Sequence, residues 1–128
     1  MLLGNDRIEL LFKALADPTR LRVIHLIGDR EVCVRYFVEV LDTNQSKISR
    51  HLAYLRRAGL VSTRRDGKWV HYRLVEPGDR HVSQILREVR NLIDMKPEMK
   101  KDRLRLETLL TTSQSGSPQL NDRQSLIA

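Results

Sequence analysis

The residue with the most individual chemistry in this 128-residue sequence is its one cysteine, Cys33, in the stretch EVCVRYF from Glu31 to Phe37. One thiol cannot form a disulfide within the chain. It can serve as a small buried apolar residue, a common fate for cysteine. It can also be a reactive thiol, if a helix start and the neighbouring Arg35 lower its pKa. The second chemical feature is charge. The chain carries 23 Lys and Arg against 16 Asp and Glu, a net charge of +7. Eight basic residues and one acidic residue, Asp66, lie between Asn44 and Arg73, so that stretch accounts for the whole excess. Charge concentrated in this way is the footprint of a phosphate-backbone reader, with a solvated charged surface as the plainer reading. The sequence has no nucleophile–base motif, Gly-rich phosphate loop or metal-ligand cluster, so no enzyme is indicated.

The elements that must position these residues follow from spacing. Ile8, Leu11, Phe12 and Leu15 predict an amphipathic helix ending near Ala16. Asp17 and Pro18 read as the cap and first position of a second helix, which Leu21, Ile24 and Ile27 carry to Gly28. Glu31 to Leu41 reads as a short third helix with Val34, Phe37, Val38 and Leu41 on its apolar stripe. Thr43 or Asn44 can cap a fourth helix, with Ile48, Leu52 and Leu55 inward and Gly59 at the C′ position. Two β-prone runs around Asp66-Gly67 predict a hairpin closed by a type I′ turn. Helical spacing returns from about Gly78 through Ile93, and Pro97 interrupts it. A further helical piece carries Met99, Leu106, Leu109 and Leu110. The expected division is a domain at 1–96, a helical extension at 97–111 and a disordered tail at 112–128.

A chain of this length has room for one core, and with 5% aromatic residues that core is modest, so dimerisation would help it bury surface. Charges interrupt every apolar run well short of the roughly 18 residues that span a membrane. No signal-peptide core precedes Asp6, and one cysteine suits a reducing compartment, so the expected setting is cytoplasmic.

This order, mainly α with a β-hairpin after a polar-faced helix, is that of a winged helix-turn-helix. A helix fits the major groove, so the fourth helix can bring short polar side chains to base edges while the hairpin, or wing, holds phosphates. Gln45, Ser46, Ser49 and Arg50 are the candidates for base edges, since Gln can pair with adenine and Arg with guanine. Lys47, Arg64, Arg65 and Lys68 are candidates for phosphate. His51 reads as a helix-packing or phosphate-bonding histidine. Strand alternation puts Trp69 and His71 on one face and Val70 and Tyr72 on the other, either packing the wing on the body or making partial DNA contacts.

LADPTRLRVIHLI and NQSKISRHLAYLRRAGLVSTRRDGKWVHYRL closely resemble the arsenic-responsive repressor family of small bacterial winged-helix proteins, across residues 8 to 93. The pattern S.HL..L..AGLV followed by R.G....Y.L carries the resemblance. It implies a homodimer joined through the first and last helices, with recognition helices in successive major grooves of an inverted repeat. It implies a repressor that leaves double-stranded operator DNA when an inducer binds, with no cofactor required. In the arsenic branch the third helix begins Cys-Val-Cys, often with a further Cys three residues on, and these thiolates bind trivalent arsenic or antimony. The corresponding positions here are Cys33, Arg35 and Val38. Arg35 cannot deprotonate to become a soft ligand. Arsenic(III) or antimony(III) is therefore the inducer the resemblance implies, while the site is incomplete. Cys33 is its one candidate ligand, open to help from a partner chain.

The zinc-sensing branch places Asp and His at the start of the last helix, matched by Asp79 and His81. Its second half would fall on Leu92 and Met95, which cannot complete a zinc site. The branch that senses oxidants needs two cysteines per subunit. The alternatives to an arsenic-responsive repressor are a repressor responding through one reactive thiol, and a winged-helix protein-interaction module.

Overall fold

The structure, a computed structural model, describes residues 5–116. Helix α1 (Asn5–Leu15) leads into α2 (Pro18–Ile27), where the Asp17 side chain accepts from the Arg20 amide at 3.0 Å and Pro18 sits in the first turn. The cap satisfies an amide that has no partner within the helix. Gly28 then reverses the chain at φ +56°, a conformation that disfavours a Cβ.

The next segment departs from expectation. Val32–Cys33 is a short strand, β1, and helix α3 begins only at Val34 and ends at Leu41. The strand exists because Val32 and Cys33 pair antiparallel with Tyr72 and His71 of the distant hairpin, a pairing that no local pattern announces. The apolar stripe of α3 is also turned from the expected one: Tyr36, Phe37, Val40 and Leu41 are buried, while Val34 and Val38 are only partly so.

Helix α4 (Gln45–Arg57) follows, its N-terminus capped by Asn44, which accepts from the Lys47 amide at 2.9 Å. Ile48, Leu52 and Leu55 are fully buried, as their spacing predicts. Gly59 supplies the positive φ, +79°, that turns the chain into β2 (Val61–Asp66). That strand pairs with β3 (Trp69–Leu74) in the register Val61↔Leu74 to Asp66↔Trp69, giving a sheet ordered β1-β3-β2. The two-residue loop is therefore Gly67-Lys68, shifted by one residue from the expected Asp66-Gly67. Gly67 has positive φ and Lys68 does not, the pattern of a type II′ turn rather than type I′.

Asp79 caps α5 (Arg80–Asp94), and α6 begins at Pro97 and runs to Gly116. Residues 112–116 are thus helical, not the start of a disordered tail; the rest of the expected tail, 117–128, lies outside the described residues. Helix α6 also packs on α2 and α3, burying Met99 and Leu106. Polar contacts secure it. Arg22 donates to both oxygens of the buried Asp102 at 2.7 and 2.8 Å, which raises the guanidinium pKa. His25, 5% exposed, lies between Asp94 Oδ1 at 2.6 Å and the Met99 carbonyl at 2.7 Å, joining α2 to the α5–α6 corner.

Candidate nucleic-acid interface

The burial of Ile48, Leu52 and Leu55 fixes the rotation of α4, and with it the face turned outward. Gln45, Ser46, Lys47, Ser49 and Arg50 are all exposed, and their side chains have no partner among the described residues. They are short or flexible polar groups on one exposed helix face. Such a face can donate to and accept from base edges and phosphates without first breaking an internal bond.

His51 stands at the edge of that face, partly buried. Its Nδ1 lies 3.3 Å from Arg20 Nη1, and because a guanidinium only donates, Nδ1 accepts there. The proton of the neutral ring then sits on Nε2, a donor suited to a phosphate oxygen. Arg20 is itself fixed: it donates to the carbonyls of Ala14 and Lys13, each at 2.8 Å, and its guanidinium lies 4.1 Å from the Tyr54 ring centroid. Arg57 approaches the same ring at 5.1 Å. Arg20 therefore locks the α1–α2 corner to α4, a positioning role that the sequence did not reveal.

The three wing cations separate into two kinds. Arg65 is exposed, and Lys68 projects from the tip with Nζ 5.3 Å from the Trp69 ring centroid. Arg64 instead donates through Nε to both oxygens of Glu31, at 3.1 and 3.2 Å, and Glu31 is nearly buried. Arg64 thus ties the wing to the body. Trp69, His71 and Tyr72 take the packing role. The Arg35 guanidinium lies 4.6 Å from the Trp69 ring centroid, Tyr72 meets Phe37 edge-on at 6.4 Å, and His71 is fully buried. Burial pushes the Tyr72 phenol above its ordinary pKa, although Arg56 and Arg65 pull the other way.

Between α4 and the wing lies an open concavity lined by Ser49, Ala53, Arg56, Arg57 and Tyr72. Ser49, Ala53 and Arg56 fall at i, i+4, i+7, so helical periodicity placed them on one face. What the sequence lacked was the position of the wing, which turns that face into a basic trough.

The sensor candidates fare differently. Cys33 is fully buried at the start of α3. Burial raises its thiol pKa, outweighing the amides of Val34 and Arg35 and the charge of Arg35, which act to lower it. Of the two readings the sequence left open, a small buried apolar residue and an acidified reactive thiol, this burial agrees with the first: desolvation of the thiolate is the larger effect. Asp79 is occupied as a helix cap, accepting from the His81 and Val82 amides at 2.8 and 3.1 Å. Among the described residues no group of three or more His, Cys, Asp or Glu could hold a metal ion, and no helix is long and apolar enough to cross a membrane.

Residues 17–63 match the family model described as bacterial regulatory protein, arsR family. The chain is 42% identical over 108 residues to the arsenic resistance transcriptional regulator ArsR1 of Pseudomonas putida, covering 83% of this chain and 82% of that protein. It is 55% identical over 65 residues to the arsenical resistance operon repressor of Escherichia coli, spanning 50% of this chain and 56% of that protein. Among solved structures it resembles the homodimeric winged helix-turn-helix DNA-binding domain Mb0332 of Mycobacterium bovis, with TM-score 0.58 and 28% identity, covering 70% of this chain and 80% of that one.

Proposed function

Because the chain belongs to the arsR family of bacterial regulatory proteins, and is by that membership a DNA-binding transcription regulator rather than an enzyme, we propose that it acts in the cytoplasm as a homodimeric repressor on an inverted-repeat operator. The observation that carries this reading is the unengaged polar face of α4, from Gln45 to Arg50, flanked by Arg65 and Lys68 on the wing. Two such faces are needed to read two half-sites. Support for the second subunit comes from Ile8 and Phe12 on α1 and Leu92 and Met95 at the end of α5, which are 40–74% exposed and apolar. A second copy meeting these helices would cover them. The relatives' names connect them with arsenic, and on that ground the inducer is trivalent arsenic or antimony, with Cys33 the soft donor available.

Fluorescence anisotropy with duplexes selected from a random pool tests the DNA reading. Tight binding to one palindromic sequence, weakening steeply with salt, is the expected result. Equal affinity for every duplex would favour a protein-interaction module instead. Release by arsenite or antimonite is then compared in the native chain and Cys33→Ser; identical release would remove Cys33 from induction.

A further inference from the structure

Five buried side-chain nitrogens among the described residues lack a hydrogen-bond partner: Nε of Arg30 and Arg35, Nη2 of Arg64, and both ring nitrogens of His71. His71 is the most unusual of these, because it is completely buried and neither nitrogen is satisfied. Leaving buried polar atoms unpaired is costly, and native structures rarely do so without a functional reason or an unseen occupant. Directly opposite His71 on the adjoining strand is Cys33, also completely buried. Opposed residues on an antiparallel pair project from the same face, with Cβ atoms about 4.5–5.5 Å apart. The base of the wing therefore places a thiol and an unpartnered imidazole side by side, away from water.

We propose that Cys33 Sγ and one ring nitrogen of His71 form a two-donor site for a monovalent soft cation, copper(I). Copper and zinc both accept thiolate and imidazole donors, and the number of ligands and the charge decide between them. The charge balance favours a monovalent ion. The thiol gives up its proton to solvent as the Cu–S bond forms, so one positive charge leaves the site as another enters. The buried charge beside Arg35 is unchanged. A divalent ion would add an uncompensated charge there, and zinc would also lack the four ligands it prefers. Arg64, on the other side of His71 in the sheet, is already neutralised by Glu31. Burial lowers the His71 pKa and keeps the ring in the neutral form that binds metal.

Ligation would clip β1 to β3, and so fix the start of α3 relative to the wing. The site itself is independent of the repressor reading; only an effect on operator affinity rests on it. Binding is therefore measured on the full chain without DNA, by anaerobic titration with copper(I) supplied as its bicinchoninate complex. One copper per chain should leave the chelator, with quenching of Trp69, the only tryptophan, which shares a sheet face with His71. Cys33→Ser and His71→Leu should each weaken binding by on the order of 100-fold or more, whereas His71→Met, which restores a soft donor, should recover most of it. X-ray absorption of the copper-loaded native chain should find one sulfur and one nitrogen neighbour, a measurement that needs no variant to fold. Two sulfur neighbours, copper left on the chelator, or His71→Leu binding as tightly as the native chain would each overturn the proposal.

Discussion

Replacing Lys68 and Arg64 separately by alanine should produce two different failures, although both are wing cations. Lys68 is exposed at the hairpin tip and has no carboxylate partner among the described residues. If it holds one phosphate in each subunit, Lys68→Ala removes two phosphate contacts per dimer. At about 0.9 per phosphate, the slope of log K against log salt should fall by roughly 1.8. Between about 50 and 200 mM salt the native dimer should then lose roughly twelvefold more affinity than the variant. Arg64→Ala acts elsewhere, because it strands Glu31, whose side chain is only 9% exposed. Breaking a fully buried pair costs about 3–5 kcal/mol, but the Arg64 side chain is 40% exposed, so the expected loss of stability is about 1–2 kcal/mol. Its salt slope should stay near the native value. Anisotropy titrations at four salt concentrations, with denaturant unfolding of the same samples, measure both quantities. A native slope in Lys68→Ala, or a slope in Arg64→Ala flattened as much as predicted for Lys68→Ala, would refute the division of the wing into a free tip and an anchored base.

Burial, followed by the nearby Arg64, lowers the His71 pKa below its usual value, so the unfolded chain gains a proton that the folded chain resists. Stability should therefore be intact above about pH 6.5 and fall as pH drops below it, and His71→Leu should reduce that fall in thermal melts taken from neutral to mildly acidic pH. His25→Ala should cost about 2–4 kcal/mol in urea unfolding, since it opens a cavity and leaves the Met99 carbonyl without its donor. Leu92→Glu, placing a charge on a residue 69% exposed in the single chain, should shift the protein towards monomer in sedimentation velocity with little effect on the fold. An unchanged dimer would move the interface away from the end of α5.

Local chemistry made much of this chain legible. Asp17 and Asn44 are recognisable as caps because each side chain serves an amide three residues on. Ile48, Leu52 and Leu55 determine which way α4 faces through helical periodicity alone, so the outward set from Gln45 to Arg50 followed directly. The concentration of charge between Asn44 and Arg73 needed only counting.

The tertiary structure decided what depends on register between distant segments. A two-residue strand has too little length to show a period, and β1 forms only because β3 offers it a partner. The same pairing brings Cys33 opposite His71, and it is the contact with Glu31, just before β1, that anchors Arg64 while Lys68 stays free at the tip. The residue types near 97–116 suggested a helix, but whether it stood apart or packed depended on Asp102 meeting Arg22 and on His25 reaching Met99. Periodicity fixes which face of an element is apolar, because it acts over one or two turns. Which polar groups that face meets is set by the packing of remote elements, and in this protein that packing determines the surroundings of its one thiol.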